Sequence, residues 1–275
     1  GRVSRYGLMA MGSSFDQIGP FAKTVDDAEI IFNVISGHDK MDSTSLSDNM
    51  AVSKKREPKV IGIPRDLLRE GLDDEVRANL EESVKKLQEL GYKTQDITLP
   101  NVKYSLSVYY IIMPAEASTN LARFDGIRYG LSSDGGDMIS SYMKTRGEGF
   151  GKEVRRRIML GAYVLSSGYY DAYYNKANAV RSLIMNDFDK AFGLVDAIIT
   201  PTSPVPAFKI GEKASDPLAM YLADIFTVPA NIAGIPAISI PSGETKAGLP
   251  LGLQIMAPNF GENTLFTIGK KFESA

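Results

Sequence analysis

Two glycine-rich segments have residue types that could support chemistry. GEGFGK, at residues 147–152, resembles a phosphate-binding loop, but that motif needs Gly where Arg146 stands and Ser or Thr where Glu153 stands. SSDGGD, at residues 132–137, lacks the spacing of an EF-hand calcium loop and is interpreted as a loop between two helices. We therefore predict neither a nucleotide site nor a calcium site in these segments.

Thiol and imidazole chemistry is nearly excluded, because the chain has no cysteine and His38 is its single histidine. Disulfides, thiol nucleophiles and Cys/His zinc sites are therefore impossible within this sequence. A Ser-His-Asp triad would have to use His38, which lies in the turn-like segment GHDKMDST. We interpret His38 as a solvated turn residue.

Three consecutive arginines, Arg155, Arg156 and Arg157, stand in a segment with helical character. Successive residues of a helix lie about 100° apart, so the three cannot share one face. Arg157 shares its face with Gly161 and Val164, and we predict that it lies nearest the apolar side.

The overall composition is that of a globular protein of 275 residues, with 31 basic and 33 acidic side chains and a net charge of −2. No basic excess marks it as a nucleic-acid-binding protein. No apolar run approaches the ~20 residues of a membrane span. We expect a cytoplasmic protein that does not contact a membrane. Since the chain starts at Gly1, we also expect a fragment or a processed product.

Apolar periodicity predicts alternating strands and helices that must position any site. One helix follows the N-cap Thr24, with an apolar stripe at Ile30, Ile31, Val34 and Ile35, and ends before Gly37. A polar surface loop is expected at residues 46–57. Further helical regions are predicted at residues 73–90, 104–124, 152–192 and 262–272, with Gly161 and Gly168 as points where the third could bend. Strands are predicted at residues 59–64, 92–97, 195–200, 237–240 and 251–256. This order predicts an α/β fold, a mixed sheet flanked by helices on both faces.

Several longer segments carry a resemblance to a known family. They include RFDGIRYG, TRGEGFGKEVRRRI, ITPTSPVPAF and DPLAMYLADIFTVPANIAGIPAISIP, and similar segments span nearly the whole chain. The sequence resembles the amidase-signature family, and within it the A subunits of glutamyl-tRNA(Gln) and aspartyl-tRNA(Asn) amidotransferases. The resemblance implies a single partial amidase-signature domain over residues 1–275.

The resemblance implies that glutamine is hydrolysed to supply ammonia, which converts Glu-tRNA(Gln) to Gln-tRNA(Gln). In the family, a serine nucleophile acts with a second serine and a lysine, in and before a GGSSGG-type stretch. This sequence contains no such stretch, so no catalytic residue is assigned, and Ser13, Ser14, Ser132 and Ser133 are not candidates merely because they are serines.

Substrate recognition is the part of the function that the resemblance places in this chain. It puts Arg157 on the α-carboxylate of glutamine, Asp224 on the α-ammonium, and Tyr109 in the pocket wall. A planar guanidinium suits a carboxylate, and a carboxylate suits an ammonium. The structural alternative is an ordinary ion pair and a core tyrosine.

The resemblance also implies partners, and no cofactor in this chain. The B subunit of the amidotransferase would use ATP and Mg²⁺ and hold most of the tRNA, and the small C subunit would complete the assembly. Two other functions stay open: a fragment of a free-standing amidase, and a non-catalytic module that binds a partner. Two charged recognition groups argue against an amidase for hydrophobic amides.

We predict that this chain alone releases no ammonia from glutamine, because the nucleophile and base implied by the resemblance are absent from it. Loss of the nucleophile in a serine hydrolase costs on the order of a million-fold in turnover. The measurement is ammonia release by the purified chain. Saturable turnover within about a hundredfold of a typical enzyme rate of ~10 s⁻¹ would contradict the prediction.

Overall fold

The computed structural model describes residues 1–47, 57–69, 71–213 and 216–275. The polar loop predicted at residues 46–57 falls mostly outside these ranges. Contacts divide the chain into two compact units. Unit 1 comprises Gly1–Tyr6, Gln17–Leu106 and Val180–Ala275, and unit 2 comprises Gly7–Asp16 and Ser107–Ala179. The single domain expected over residues 1–275 stays a prediction.

Unit 1 contains a mixed sheet, which has five strands among the described residues, in the order β2-β1-β3-β5-β4. β1 pairs in parallel with both β2 and β3, whereas β5 runs antiparallel to β3 and β4. All five strands lie where the sequence predicts them, and β4 extends further than expected. Their bounds are β1 Val60–Ile63, β2 Lys93–Asp96, β3 Ala197–Pro201, β4 Ala237–Glu244 and β5 Pro250–Met256.

β3 is buried at each of its five positions. Side chains alternate between the two faces of a strand, so Ile198 and Ile199 point to opposite sides, and both have no exposed area. Ile199 joins the main core cluster, which includes residues of two helices, α2 (Asp74–Glu89) and α9 (Glu262–Glu273). The predicted α/β class with a mixed sheet is confirmed, and both faces of β3 are covered.

The remaining helices follow local sequence signals. α1 (Val25–Ile35) starts at the expected cap, where the Thr24 side chain accepts a hydrogen bond from the Asp27 amide. Asp73 caps α2 in the same way. Among the described residues, no helix is both long and apolar enough to cross a membrane. The others are α3 Ser105–Leu121, α4 Met138–Gly149, α5 Lys152–Val164, α6 Lys176–Phe192, α7 Pro217–Leu222 and α8 Val228–Ala233.

The helical region predicted at residues 152–192 is present but interrupted, and the interruption includes Gly168, one of the two glycines at which a bend was expected. The structure divides the region into α5, a turn, a π-helical segment at Tyr170–Asn175, and α6. Gly168 lies in the turn with a φ of 85°, a conformation that ends a right-handed helix. α4 was not predicted; Asp137, the last residue of the expected SSDGGD loop, caps it.

Gly161 allows a close helix contact in unit 2. A Cβ atom at this position would lie 1.9 Å from the carbonyl oxygen of Pro114, which is inside α3. That distance is far below van der Waals contact, so α5 can approach α3 this closely only with glycine here. By contrast, a Cβ at Gly147 in α4 would meet no atom within 4 Å.

We predict opposite effects of alanine at these two helical glycines. Gly161→Ala should lower the free energy of unfolding by about 1–3 kcal/mol, as overpacking does. Gly147→Ala, the matched control, should raise it by roughly 0.5–1 kcal/mol through lower backbone entropy in the unfolded chain. Urea unfolding of both variants is the measurement. Equal effects would mean that α5 does not depend on this contact.

The apolar stripe predicted on α1 is present but is exposed rather than buried. Ile30 is 61% and Val34 79% exposed. A different apolar face of α1 packs against α9: Val25 belongs to the main core cluster, and the Phe32 ring lies 5.6 Å from that of Phe266 between centroids. Lys270 adds ion pairs to Asp26 and Glu29 beside this contact. The isoleucine and valine stripe is therefore a second apolar surface that water contacts, and Phe21, just before the helix, is fully exposed.

We predict that this chain binds a hydrophobic dye and self-associates through the α1 stripe, because exposed apolar patches favour association. Replacing Ile30 and Val34 together by lysine should reduce both properties. Asn33→Lys adds charge to the same helix at an exposed polar position and serves as the control. Dye fluorescence and sedimentation are the measurements, and a monomeric, dye-negative parent chain would refute the idea.

Candidate functional site

Tyr109 and Arg157, two of the three expected recognition residues, lie together in unit 2. Tyr109 is half-buried on α3, and its ring packs against Phe15 at 5.6 Å and Tyr110 at 5.0 Å between centroids. Arg157 projects from α5, and the Tyr109 hydroxyl is one of the groups that raise the pKa of its guanidinium. The phenol therefore lies near enough to interact with the guanidinium.

Glu153 is a partner of Arg157 that was not singled out from the sequence. Its Oε1 atom accepts a hydrogen bond from Nε of Arg157 at 3.1 Å, within one turn of α5. The i,i+4 spacing of a glutamate and an arginine was the available signal. Because Glu153 contacts Nε of Arg157, a carboxylate could bind the two terminal nitrogens of the guanidinium while the Glu153 contact is kept.

The three consecutive arginines differ in exposure as predicted. Arg155 and Arg156 are exposed, whereas the side chain of Arg157 is only 20% exposed. Burial lowers the pKa of Arg157, but interactions with Glu153 and Tyr109 outweigh it, so the pKa lies above its ordinary value. Arg157 is thus a permanent positive charge that is held in place on two sides.

The close contact at Gly161 bears on this pair. Arg157 precedes Gly161 by one helical turn on α5, and Tyr109 precedes Pro114 by a little more than one turn on α3. Both contacts therefore join α3 and α5. On each helix, the residue of the Arg157–Tyr109 contact comes before the residue of the Gly161–Pro114 contact. The spacing that Gly161 permits also sets the distance at which Arg157 reaches Tyr109.

Asp224, the third expected residue, belongs to unit 1. It lies in the turns between α7 and α8 and is exposed. Its backbone carbonyl accepts hydrogen bonds from the amides of Thr227 at 3.1 Å and Val228 at 3.0 Å, which start α8. The structure thus brings Tyr109 and Arg157 together and assigns Asp224 to the other unit.

Two of the serines that were not assigned a catalytic role have structural contacts. Ser13 accepts a hydrogen bond from Asn120 at 2.8 Å, and the Ser133 hydroxyl donates to Glu148 at 2.7 Å. His38 is exposed in its turn, as expected. Within the described residues, no group of three or more His, Cys, Asp or Glu side chains is arranged to hold a metal ion.

Comparison with known proteins decides the family. A family model described as Amidase matches residues 1–266. The chain belongs to the amidase family. The resemblance seen in its motifs is therefore confirmed over nearly the whole sequence.

Individual amidase-family relatives are also similar along the entire chain. The A subunit of glutamyl-tRNA(Gln) amidotransferase from Thermodesulfovibrio yellowstonii is 54% identical over 280 residues, covering 100% of this chain and 58% of the relative. The protein of the same name from Thermoanaerobacter pseudethanolicus is 56% identical over 281 residues, covering 100% and 57%. This chain thus spans less than two thirds of the length of these relatives.

Solved structures of amidase-family proteins share the fold. The crystal structure of the glutamyl-tRNA(Gln) amidotransferase A subunit from Thermotoga maritima has a TM-score of 0.78 and 41% identity, covering 100% of this chain and 56% of that one. A crystal structure described as an amidase has a TM-score of 0.75 at 22% identity, covering 100% and 56%, and supports the fold alone.

Proposed function

We propose that this chain is the glutamine-recognition part of the A subunit of a tRNA-dependent amidotransferase. The whole protein would hydrolyse glutamine and supply ammonia for conversion of Glu-tRNA(Gln) to Gln-tRNA(Gln). The observation that carries the proposal is the match of 54% identity, over the entire chain, to a protein named as such a subunit. The cytoplasmic location expected from the sequence belongs to the same proposal.

In this proposal Arg157 binds the α-carboxylate of glutamine. The hydrogen bond to Glu153 and the interaction with Tyr109 support the role, because they favour one orientation of a planar guanidinium before substrate arrives. A preorganised charged group loses less conformational entropy on binding than a mobile one. Tyr109 thus contributes by orienting Arg157 as well as by lining the pocket.

Asp224 binds the α-ammonium in the same proposal. Its exposed position in a turn suits contact with a charged group that arrives from solvent. Glutamine would then be held at two points that do not react, which aligns its side-chain amide for attack. A permanently charged arginine is a poor lining for a pocket that binds hydrophobic amides, so a free-standing amidase of that kind is disfavoured.

Partners complete the proposed reaction. The B subunit would activate the mischarged tRNA with ATP and Mg²⁺ and hold most of the RNA, and the C subunit would complete the assembly. The net charge of −2 supports this division, since the chain has no excess of basic side chains for binding a polyanion.

We predict that Arg157→Ala and Asp224→Ala, in the full-length protein assembled with its partners, each lower kcat/KM for glutamine by about 30-fold or more. Arg157→Lys should still weaken glutamine use, because it keeps the charge but loses the planar fork. Amidation driven by added ammonia should persist in all three variants, since it bypasses the pocket.

The comparison of glutamine-driven with ammonia-driven amidation is the measurement, and Arg156→Ala is the matched control. Arg156 also pairs with Glu153, at 3.2 Å, but lies on the exposed side of α5. Equal losses in both reactions, with a large fall in melting temperature, would show that Arg157 and Asp224 are structural.

A further inference from the structure

Gln254 is a polar side chain in the middle of an apolar strand. It lies on β5 between Leu253 and Ile255 and is only 4% exposed. Its amide nitrogen donates to the hydroxyl of Thr200 at 2.9 Å and to the backbone carbonyl of Phe226 at 2.8 Å. A buried amide is tolerated only when it is hydrogen-bonded, and Gln254 meets that condition with these two contacts.

The chemistry of the two partners calls for a hydrogen-bond donor here, which the Gln254 amide supplies. The Phe226 carbonyl can only accept, so the group facing it must be a donor. A side-chain amide nitrogen carries two hydrogens, one for each partner. Thr200 and Gln254 face each other in the β3–β5 register, which places both on the same side of the sheet. Glutamate, methionine or leucine at this position would offer no donor.

The bond to Phe226 anchors the turn that carries Asp224. The Phe226 side chain is 3% exposed, and Asp224 lies two residues before it. Between them the backbone is tightly folded, because the Asp224 carbonyl accepts from Thr227 and Val228. Asp224 is itself exposed, so the location of its carboxylate depends on this backbone, which Gln254 ties to the centre of the sheet.

We propose that Gln254 is a positioning residue that holds the substrate-binding carboxylate of Asp224 in place through the Phe226 carbonyl. The inference rests on the proposed function of Asp224 and adds a structural cause for its placement. Recognition of the α-ammonium group would then depend on the hydrogen bond from the sheet to the Phe226 turn, as well as on the carboxylate that contacts the substrate.

The test uses Gln254→Met in the full-length protein assembled with its partners, since methionine keeps the length and removes both hydrogen bonds. Loss of a hydrogen bond of ordinary strength should raise KM for glutamine roughly five- to tenfold. The kcat and the ammonia-driven amidation should change little. Ile255→Val is the matched control, because it loosens the same strand on the opposite face and should leave KM unchanged. A KM that does not rise, or that rises equally in Ile255→Val, overturns the proposal.

Thr200→Val provides a milder variant if Gln254→Met does not fold. It removes one anchor of the amide and leaves the Phe226 bond possible, so KM should rise in the same direction by a smaller factor. If Gln254→Met does not fold and Thr200→Val folds with an unchanged KM, the proposal is overturned, because Gln254 is then needed only for folding.

Combination with Asp224→Asn separates this inference from the proposed function. If Gln254 acts through Asp224, Gln254→Met adds no further rise in KM when Asp224→Asn is present. If the factors by which the two substitutions raise KM multiply in the double variant, Gln254 acts on KM through a residue other than Asp224. If Asp224→Asn alone leaves KM unchanged, the proposed role of Asp224 fails and the inference fails with it. If Asp224→Asn raises KM while the Gln254 and Thr200 variants do not, only the inference fails.

Discussion

The complete burial of β3 is the constraint on which unit 1 depends. This strand pairs in parallel with β1 on one side and antiparallel with β5 on the other, so it joins the two halves of a mixed sheet. Both of its faces must be covered by apolar groups or by satisfied polar ones. Ile199 provides an apolar side chain in the main core cluster. Thr200 is a satisfied polar residue, because its hydroxyl accepts a hydrogen bond from Gln254.

A comparable constraint in unit 2 is the contact between α3 and α5. Gly161 removes the side chain that would collide with the Pro114 carbonyl, and the two helices can then approach closely. The same approach brings Arg157 near enough to Tyr109 to interact with it. Helix packing therefore also positions the guanidinium, since a change in the spacing of the helices would move it.

The orientation of α1 contrasts with both of these buried contacts. Val25 and Phe32 pack against the core and α9, and the isoleucine and valine stripe on another face is exposed. Helices at a protein surface ordinarily have one apolar face and keep polar groups in water on the other. The relatives that match this chain are considerably longer than it is, and an exposed stripe of this kind is the property expected of a helix face that is packed against another surface.

The sequence by itself determined the strands, most helices and the family. Periodicity located all five described strands and the helix α2, and the cap at Thr24 located the start of α1, because these signals are local and need no information about distant residues. Motif resemblance named Tyr109, Arg157 and Asp224, and helical geometry singled out Arg157 as the least exposed of three arginines.

Only the tertiary structure decided which side chains meet. Residues 28 or more positions apart are joined by the interaction of Arg157 with Tyr109, the close approach at Gly161 and the hydrogen bond from Gln254 to the Phe226 carbonyl. The exposed side of α1 was also decided there, because an apolar stripe in a sequence shows amphipathicity but not which face is covered. Such contacts depend on how elements pack in three dimensions, and no local pattern of residue types specifies that packing.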